Sequence, residues 1–264
     1  SMWLEKRRCV VTFHDLFQMT DPDKLGSGLG YSKWKNIVGT RYFSLAAHIA
    51  SLSARVVAVS ESTRAEVVER LHVPVDKVTT IVSGIRPDLR PYNDVREIHT
   101  IGYLGQLDRR KRVDLLIRAF KSNKYSNLRL RIGGTGVDAP LLESLAEGDD
   151  RITFLGRIPD SELVHFYNSL DAFIFPTWLE GYGLPIIEAM ACKRPVVVLA
   201  DAKIPDEIKN RCVAVDDLDV LFANNKYFEG RCTYVDKEGN YEWAKSHDWK
   251  RTVDKYEQLY KELA

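Results

Sequence analysis

The sequence predicts an α/β protein in which short strands and helices alternate around parallel sheet, and three observations carry that reading. Short apolar runs recur from Val10 onward, each followed by a turn or by a segment of helical period. Glycine-bearing turns follow several of these runs and precede helices, the position at which parallel sheets hold ligands. A stretch rich in proline and charge, RPDLRPYNDVREI at 86–98, has no periodicity and separates a shorter N-terminal part from a longer C-terminal one.

In chain order the expected strands are 10–13, 55–59, 79–82, 99–103, 128–132, 152–155, 172–175 and 195–199. The segment 246–264, SHDWKRTVDKYEQLYKELA, carries Trp249, Val253, Tyr256, Leu259, Tyr260 and Leu263 at helical spacing, with Ser246 or Asp248 as N-cap. The expected division is residues 1–90, a partial N-terminal domain, and residues 91–264, a C-terminal domain whose last helix returns toward the first. No internal repeat or low-complexity tract interrupts either part.

Composition narrows the function classes. With 45% apolar and 28% charged residues the chain is an ordinary globular one. Its 38 Lys and Arg nearly balance 37 Asp and Glu, so net charge gives no reason to expect a nucleic-acid partner, and any anion must be met locally. Cys9, Cys192, Cys212 and Cys232 are scattered without metal-ligand spacing and read as reduced thiols of a cytosolic protein, with Cys9–Cys232 or Cys192–Cys212 pairing left open. No segment approaches the about 18 apolar residues of a membrane span, and no signal-peptide core is present. Ser1 before Met2 reads as the scar of a cleaved expression tag.

The chemistry concentrates in FIFPTWLEGYGLPIIEAMACKRPVVV at 173–198. A buried strand enters a loop with Gly181 and Gly183, and Pro185 stands where a helix can start without losing a hydrogen bond. The glycines allow close backbone approach, and the helix N–H groups suit a phosphate or an array of sugar hydroxyls. Glu180 before the helix and Glu188 about one turn inside it offer two acceptors for vicinal hydroxyls of a ribose and of a sugar. In IGYLGQLDRRKRVDLLIRAF, 101–120, a strand ends at Gly105 and a helix is expected near Lys111. Arg109, Arg110, Lys111 and Arg112 at that helix start would be unfavourable without a bound anion such as a diphosphate. A third loop, Gly133-Gly134-Thr135-Gly136, is weak evidence alone but falls in the same position relative to its strand.

These residues resemble glycosyltransferase family 4, retaining enzymes with the two-domain GT-B fold of Rossmann-like domains. The resemblance covers nearly the whole chain, and EGYGLPIIEAMACKRPVV is its most specific element. It implies that Glu180 and the backbone of Gly181, Tyr182, Gly183 and Leu184 engage the donor sugar, and that Glu188 binds the ribose. It implies a diphosphate clamp at Lys111, but the family's arginine is replaced by Gln106, and Arg109 is the available substitute. Gly105, Gly134, Thr135 and Leu155 complete the implied donor set. VVTFHDL resembles the N-domain strand whose histidine meets the donor sugar, which makes His14 and Glu180 the implied catalytic residues, and Ser83-Gly84 stands where the family has Asn-Gly.

The expected function is therefore metal-independent hexosyl transfer from a UDP-sugar or GDP-mannose to a glycan, lipid or other hydroxyl acceptor, with no cofactor. A non-catalytic sugar-nucleotide-binding or partner subunit is the alternative. A whole enzyme of the family has more N-domain than these ninety residues, so a shortened form, or completion by another subunit, is expected. Two further expectations follow. The strand at 10–13, lacking its usual neighbours, should favour a homo-oligomer or a partner subunit. Trp34, Ile37, Val38, Tyr42 and Phe43, interleaved with Lys33, Lys35 and Arg41, form a candidate peripheral membrane helix.

Overall fold

The computed structural model describes residues 9–16, 19, 33–92, 98–122 and 127–263. Ser1 and Met2, and residues 93–97 of the expected linker, lie outside them. In chain order the elements begin with β1 (Val10–Phe13), α1 (Lys33–Ser51), β2 (Arg55–Ala58), α2 (Glu61–Leu71) and β3 (Val78–Thr80). Next come β4 (Thr100–Leu104), α3 (Val113–Ser122), β5 (Arg129–Gly133), α4 (Ala139–Ala146), β6 (Ile152–Gly156) and α5 (Leu163–Asn168). Then follow β7 (Ala172–Ile174), α6 (Leu184–Ala191), β8 (Val196–Leu199), α7 (Asp206–Lys209) and β9 (Val213–Val215). The chain continues through α8 (Leu218–Ala223), α9 (Asn225–Thr233), α10 (Lys237–Lys245) and α11 (Trp249–Lys261). Two compact units emerge: Ser1–Gly84 with Glu180–Tyr182 and His247–Ala264, and Ile85–Leu179 with Gly183–Ser246.

The first unit holds a parallel sheet in the order β1-β2-β3. Strand β2 is apolar on both faces because both are covered, as parallel sheets require. Val56 and Ala58 face a core with Phe13, Leu16, Ala47, Val67 and Leu71, partly supplied by α1 and α2. Val57 points the other way, onto Ile81 and Leu259 of α11. Ser60 caps α2, its hydroxyl accepting from the Thr63 amide at 3.0 Å. Asp248, not Ser246, caps α11, its carboxylate accepting from the Lys250 amide at 2.9 Å; Ser246 instead closes α10.

The membrane-helix pattern needs correcting within α1. Phe43 packs against the core, whereas Tyr42 is 75% exposed. Trp34, Ile37, Val38, Lys33 and Lys35 fall where side chains lie outside the described residues.

The second unit is a six-stranded parallel sheet in the order β6-β5-β4-β7-β8-β9. Counted from β4, that order is third-second-first-fourth-fifth-sixth, the doubly wound arrangement, and the winding direction reverses between β4 and β7. Strands β7 and β8 are buried throughout, β8 as Val196-Val197-Val198-Leu199. The sheet's last strand, β9, was not among the expected ones: Val213-Ala214-Val215 is too short to show a period.

Candidate functional site

In a doubly wound sheet the crevice at the reversal point lies outside the carboxyl ends of the two flanking strands, here β4 and β7. The loops after β4 and β5 are laced together by their backbones. Gly105 donates to the Gly133 carbonyl at 3.2 Å, Leu107 to Thr135 at 2.9 Å, and Asp138 to Leu107 at 3.0 Å. Gly134 has φ +121°, and a β-carbon there would fall on the Gly105 carbonyl oxygen. One at Gly136 would fall on the Leu107 carbonyl. The glycine cluster is therefore a packing requirement as well as an open surface.

These loops line a cavity of about 460 Å³ with Leu104, Gly105, Gln106, Gly134, Thr135, Gly136, Arg157 and Ile158. Four of the expected donor residues, Gly105, Gln106, Gly134 and Thr135, thus meet in one place. Leu155, on β6, is 40% exposed and outside this lining, as are Arg109, Lys111 and Glu188. Arg157 was not singled out from the sequence, because one arginine after a strand carries no pattern. Its place on the cavity wall with Gly105 and Gln106 is visible only once β5 and β6 are paired.

The cationic run differs from expectation. Arg109–Lys111 is a single 3-10 turn, Arg112 takes the left-handed conformation (φ 52°), and the helix starts only at Val113. The four cations therefore precede the helix rather than form its first turn, with Arg112 next to Val113. Arg112 is committed to structure: it donates to the carbonyls of Pro176 at 2.7 Å and Thr177 at 2.8 Å and forms a bidentate pair with Asp201 at 2.7 and 2.8 Å. Arg110 donates to the Leu179 carbonyl at 2.7 Å, and its own carbonyl accepts from Trp178 at 2.9 Å. These two side chains hold the loop after β7. Lys111 is only 6% exposed, its Nζ 5.1 Å from the centre of the Phe175 ring. Arg109 is exposed.

The glutamate segment is split between the units. In the second unit Gly183 takes φ +99° as N-cap of α6, with Pro185 in the first turn. Leu184, its first residue, and Glu188, its fifth, are half-buried. The buried Tyr167 hydroxyl donates to Glu188 Oε2 at 2.8 Å. Burial pushes the Glu188 carboxyl up to about 7, against the pull of the Tyr167 hydrogen bond and of Arg86, with Asp160 adding to the rise. Burial, then the Glu188 charge, holds the Tyr167 phenol well above its ordinary value. Tyr167 therefore remains the donor of this bond.

In the first unit the Gly181 carbonyl accepts from Ser60 Oγ at 2.7 Å and from Thr63 Oγ1 at 3.4 Å. The Tyr182 hydroxyl and His247 Nε2 lie 2.6 Å apart, both residues buried. A β-carbon on Gly181 would strike the His14 carbonyl oxygen, which brings His14 against the glycine loop. The His14 side chain itself is exposed and Glu180 is half-buried. Ser60 and His247 are anchors of this loop that the sequence did not single out; a helix cap and a lone histidine have ordinary explanations. Among the described residues no group of three or more His, Cys, Asp or Glu stands at metal-binding range, and no helix is long and apolar enough to cross a membrane. All four cysteines are thiols.

Two parallel α/β units, the second a doubly wound sheet with a glycine-lined cavity at its strand ends, have the architecture of a GT-B-type protein, and comparison with known families agrees. The Glycosyltransferase Family 4 description matches residues 1–89, and the Glycosyl transferases group 1 description matches residues 98–225. The N-terminal part of the chain thus matches glycosyltransferase family 4 and the following part the group 1 glycosyl transferases. The chain is 27% identical over 239 residues to the O-antigen chain mannosyltransferase B of Escherichia coli, covering 82% of this chain and 60% of that protein. Among solved structures it resembles sucrose-phosphate synthase from Thermosynechococcus elongatus (TM-score 0.70, 20% identity, 97% of this chain and 68% of that one). It also resembles Anabaena HepE in complex with UDP and glucose (TM-score 0.69, 14% identity, 95% and 70%). The chain thus spans 60% of the length of the mannosyltransferase it matches.

Proposed function

We propose that the chain is a retaining, metal-independent glycosyltransferase, or the donor-binding part of one, moving a hexosyl group from a nucleoside-diphosphate sugar to a hydroxyl acceptor on a glycan or lipid in the cytoplasm. The observation that carries this reading is the cavity built from the laced glycine loops at the carboxyl ends of β4 and β5 in the second unit's sheet, with Arg157, after β6, on its wall. The mannosyltransferase relative and the HepE complex with UDP and glucose support a hexosyl donor of the UDP-sugar or GDP-mannose type.

In this reading the cavity receives the nucleotide against the Gly105 and Gly134 backbone, Gln106 and Thr135. Arg157 supplies the guanidinium that position 106 lacks, Lys111 and Arg109 add positive charge toward the diphosphate, and Leu155 offers apolar contact. Glu188 takes the ribose: its Oε2 already accepts from Tyr167, and among the described residues nothing donates to Oε1. Glu180, Gly181, Tyr182, Gly183 and Leu184 take the transferred sugar, with His14 beside them in role. The bond from the anomeric carbon to the diphosphate oxygen breaks, and the acceptor oxygen bonds to that carbon on the same face. The acceptor proton passes to a donor phosphate oxygen. Fixed dipoles and cations stabilise the departing charge, the largest part of such catalysis.

Calorimetry with UDP and GDP tests the assignment. Arg157→Ala should weaken binding of at least one by about 1.5–3 kcal/mol, the worth of a charged hydrogen bond; unchanged affinity for both would remove Arg157 from the site. The second reading, a non-catalytic binding or partner subunit, is favoured by Gln106 in the place of the family's arginine. Release of free nucleotide from a donor sugar by the purified chain separates the two.

A further inference from the structure

On its described part helix α1 carries two apolar faces, and among the described residues only one of them is covered. Phe43, Ala47 and Ala50 pack on the first unit's core. Tyr42, Leu45, Ile49 and Leu52 recur at helical spacing on or just beyond α1 and are 75%, 60%, 43% and 54% exposed. Four large apolar side chains in one row exceed the scattered exposure normal for a surface.

Charge says what kind of surface covers the row. Residues 24–60 contain five Lys and Arg and no Asp or Glu, in a chain with 37 acids among 264 residues. At the average density about five acids would fall there. On the described part of the helix, Arg41 and His48 flank the row and are exposed. A second copy presenting the same face would bring like charges together, so self-pairing through α1 is disfavoured. The other exposed apolar row, Trp249, Val253 and Tyr260 on α11, is interleaved with Asp254 and Glu257 and shows no such bias.

We propose that this face of α1 is an interfacial helix that seats the first unit on an anionic lipid surface. The apolar row enters the boundary between headgroups and acyl chains, and Arg41 beside it meets the lipid charge. Nothing in the proposal requires the donor site, and binding is read without any sugar nucleotide, so its failure leaves the transferase reading untouched.

The test is co-sedimentation of the chain with phosphatidylglycerol vesicles and with phosphatidylcholine vesicles. Binding is expected to the anionic vesicles at low ionic strength, to weaken with salt, and to be far weaker on the zwitterionic ones. The double variant Leu45→Glu with Ile49→Glu should lose about tenfold or more in partitioning. Both side chains are exposed, so its melting curve should match that of the parent. Arg41→Glu, which keeps the apolar row, should also weaken binding to anionic vesicles. No binding to anionic vesicles at low salt, or binding that neither variant reduces, overturns the proposal. So does self-association in solution that the double variant abolishes, which would make a second copy the occupant.

Discussion

Glu188 is the residue at which structure most changes the chemistry. Its carboxyl, raised from 4.5 to about 7 by burial, is protonated in the folded chain across a range in which it is ionised in the unfolded one. Stability from this group is therefore greatest below 4.5 and is lost as pH rises to about 7, by about 1.4 kcal/mol for each unit crossed. Thermal melts across that window should fall for the native sequence and stay flatter for Glu188→Gln. Ribose hydroxyls bind best to the ionised acceptor, so nucleotide affinity should rise through about pH 7 in the parent and not in Glu188→Gln. At the loop's other anchor, His247→Phe keeps a ring but removes the bond to the Tyr182 hydroxyl. That change should lower the denaturation free energy by about 1–3 kcal/mol; an unchanged midpoint would show the bond to be of no consequence.

Among elements, strands with runs of Val and Ile were legible because burial on both faces leaves continuous apolar segments, as in β2 and β8. Strand β9 was not, since three residues carry no period. The helix expected near Lys111 begins two residues later, at Val113, for a related reason: Asp108 capping a 3-10 turn and Arg112 in the left-handed region are backbone events that residue types around 109–112 do not announce. The glycines and glutamates of the candidate site stand out in the sequence because their spacing is local. Arg157, Ser60 and His247 were hidden because each reaches its place through pairing or packing across the chain. The loop after β5 offers a direct test of the lacing. Gly134→Ala must take φ +121° and clear the Gly105 carbonyl, so it should cost at least about 1–3 kcal/mol and abolish nucleotide binding measured by calorimetry.

At the scale of the whole molecule, the first unit is assembled from three separate stretches of chain. Strand β1 is paired on one side only among the described residues, and light scattering on the purified chain tests the expected association with another copy or a partner subunit. The opposite face of its sheet depends on α11: Leu259 is 5% exposed and packs on Val57 and Ile81. Leu259→Ala should destabilise by about 2–5 kcal/mol, toward the lower end because the cluster is small, read as a shifted urea midpoint. The same arrangement sets an order of events during synthesis. Val57 and Ile81 leave the ribosome well before Leu259, and at cellular elongation rates the interval is on the order of ten seconds. Throughout that time one face of a parallel sheet stands uncovered while the entire second unit is being made. The part of the molecule that is begun first is thus sealed after its neighbour has been made, and it is there that a chaperone or an unwanted neighbour has its longest opportunity.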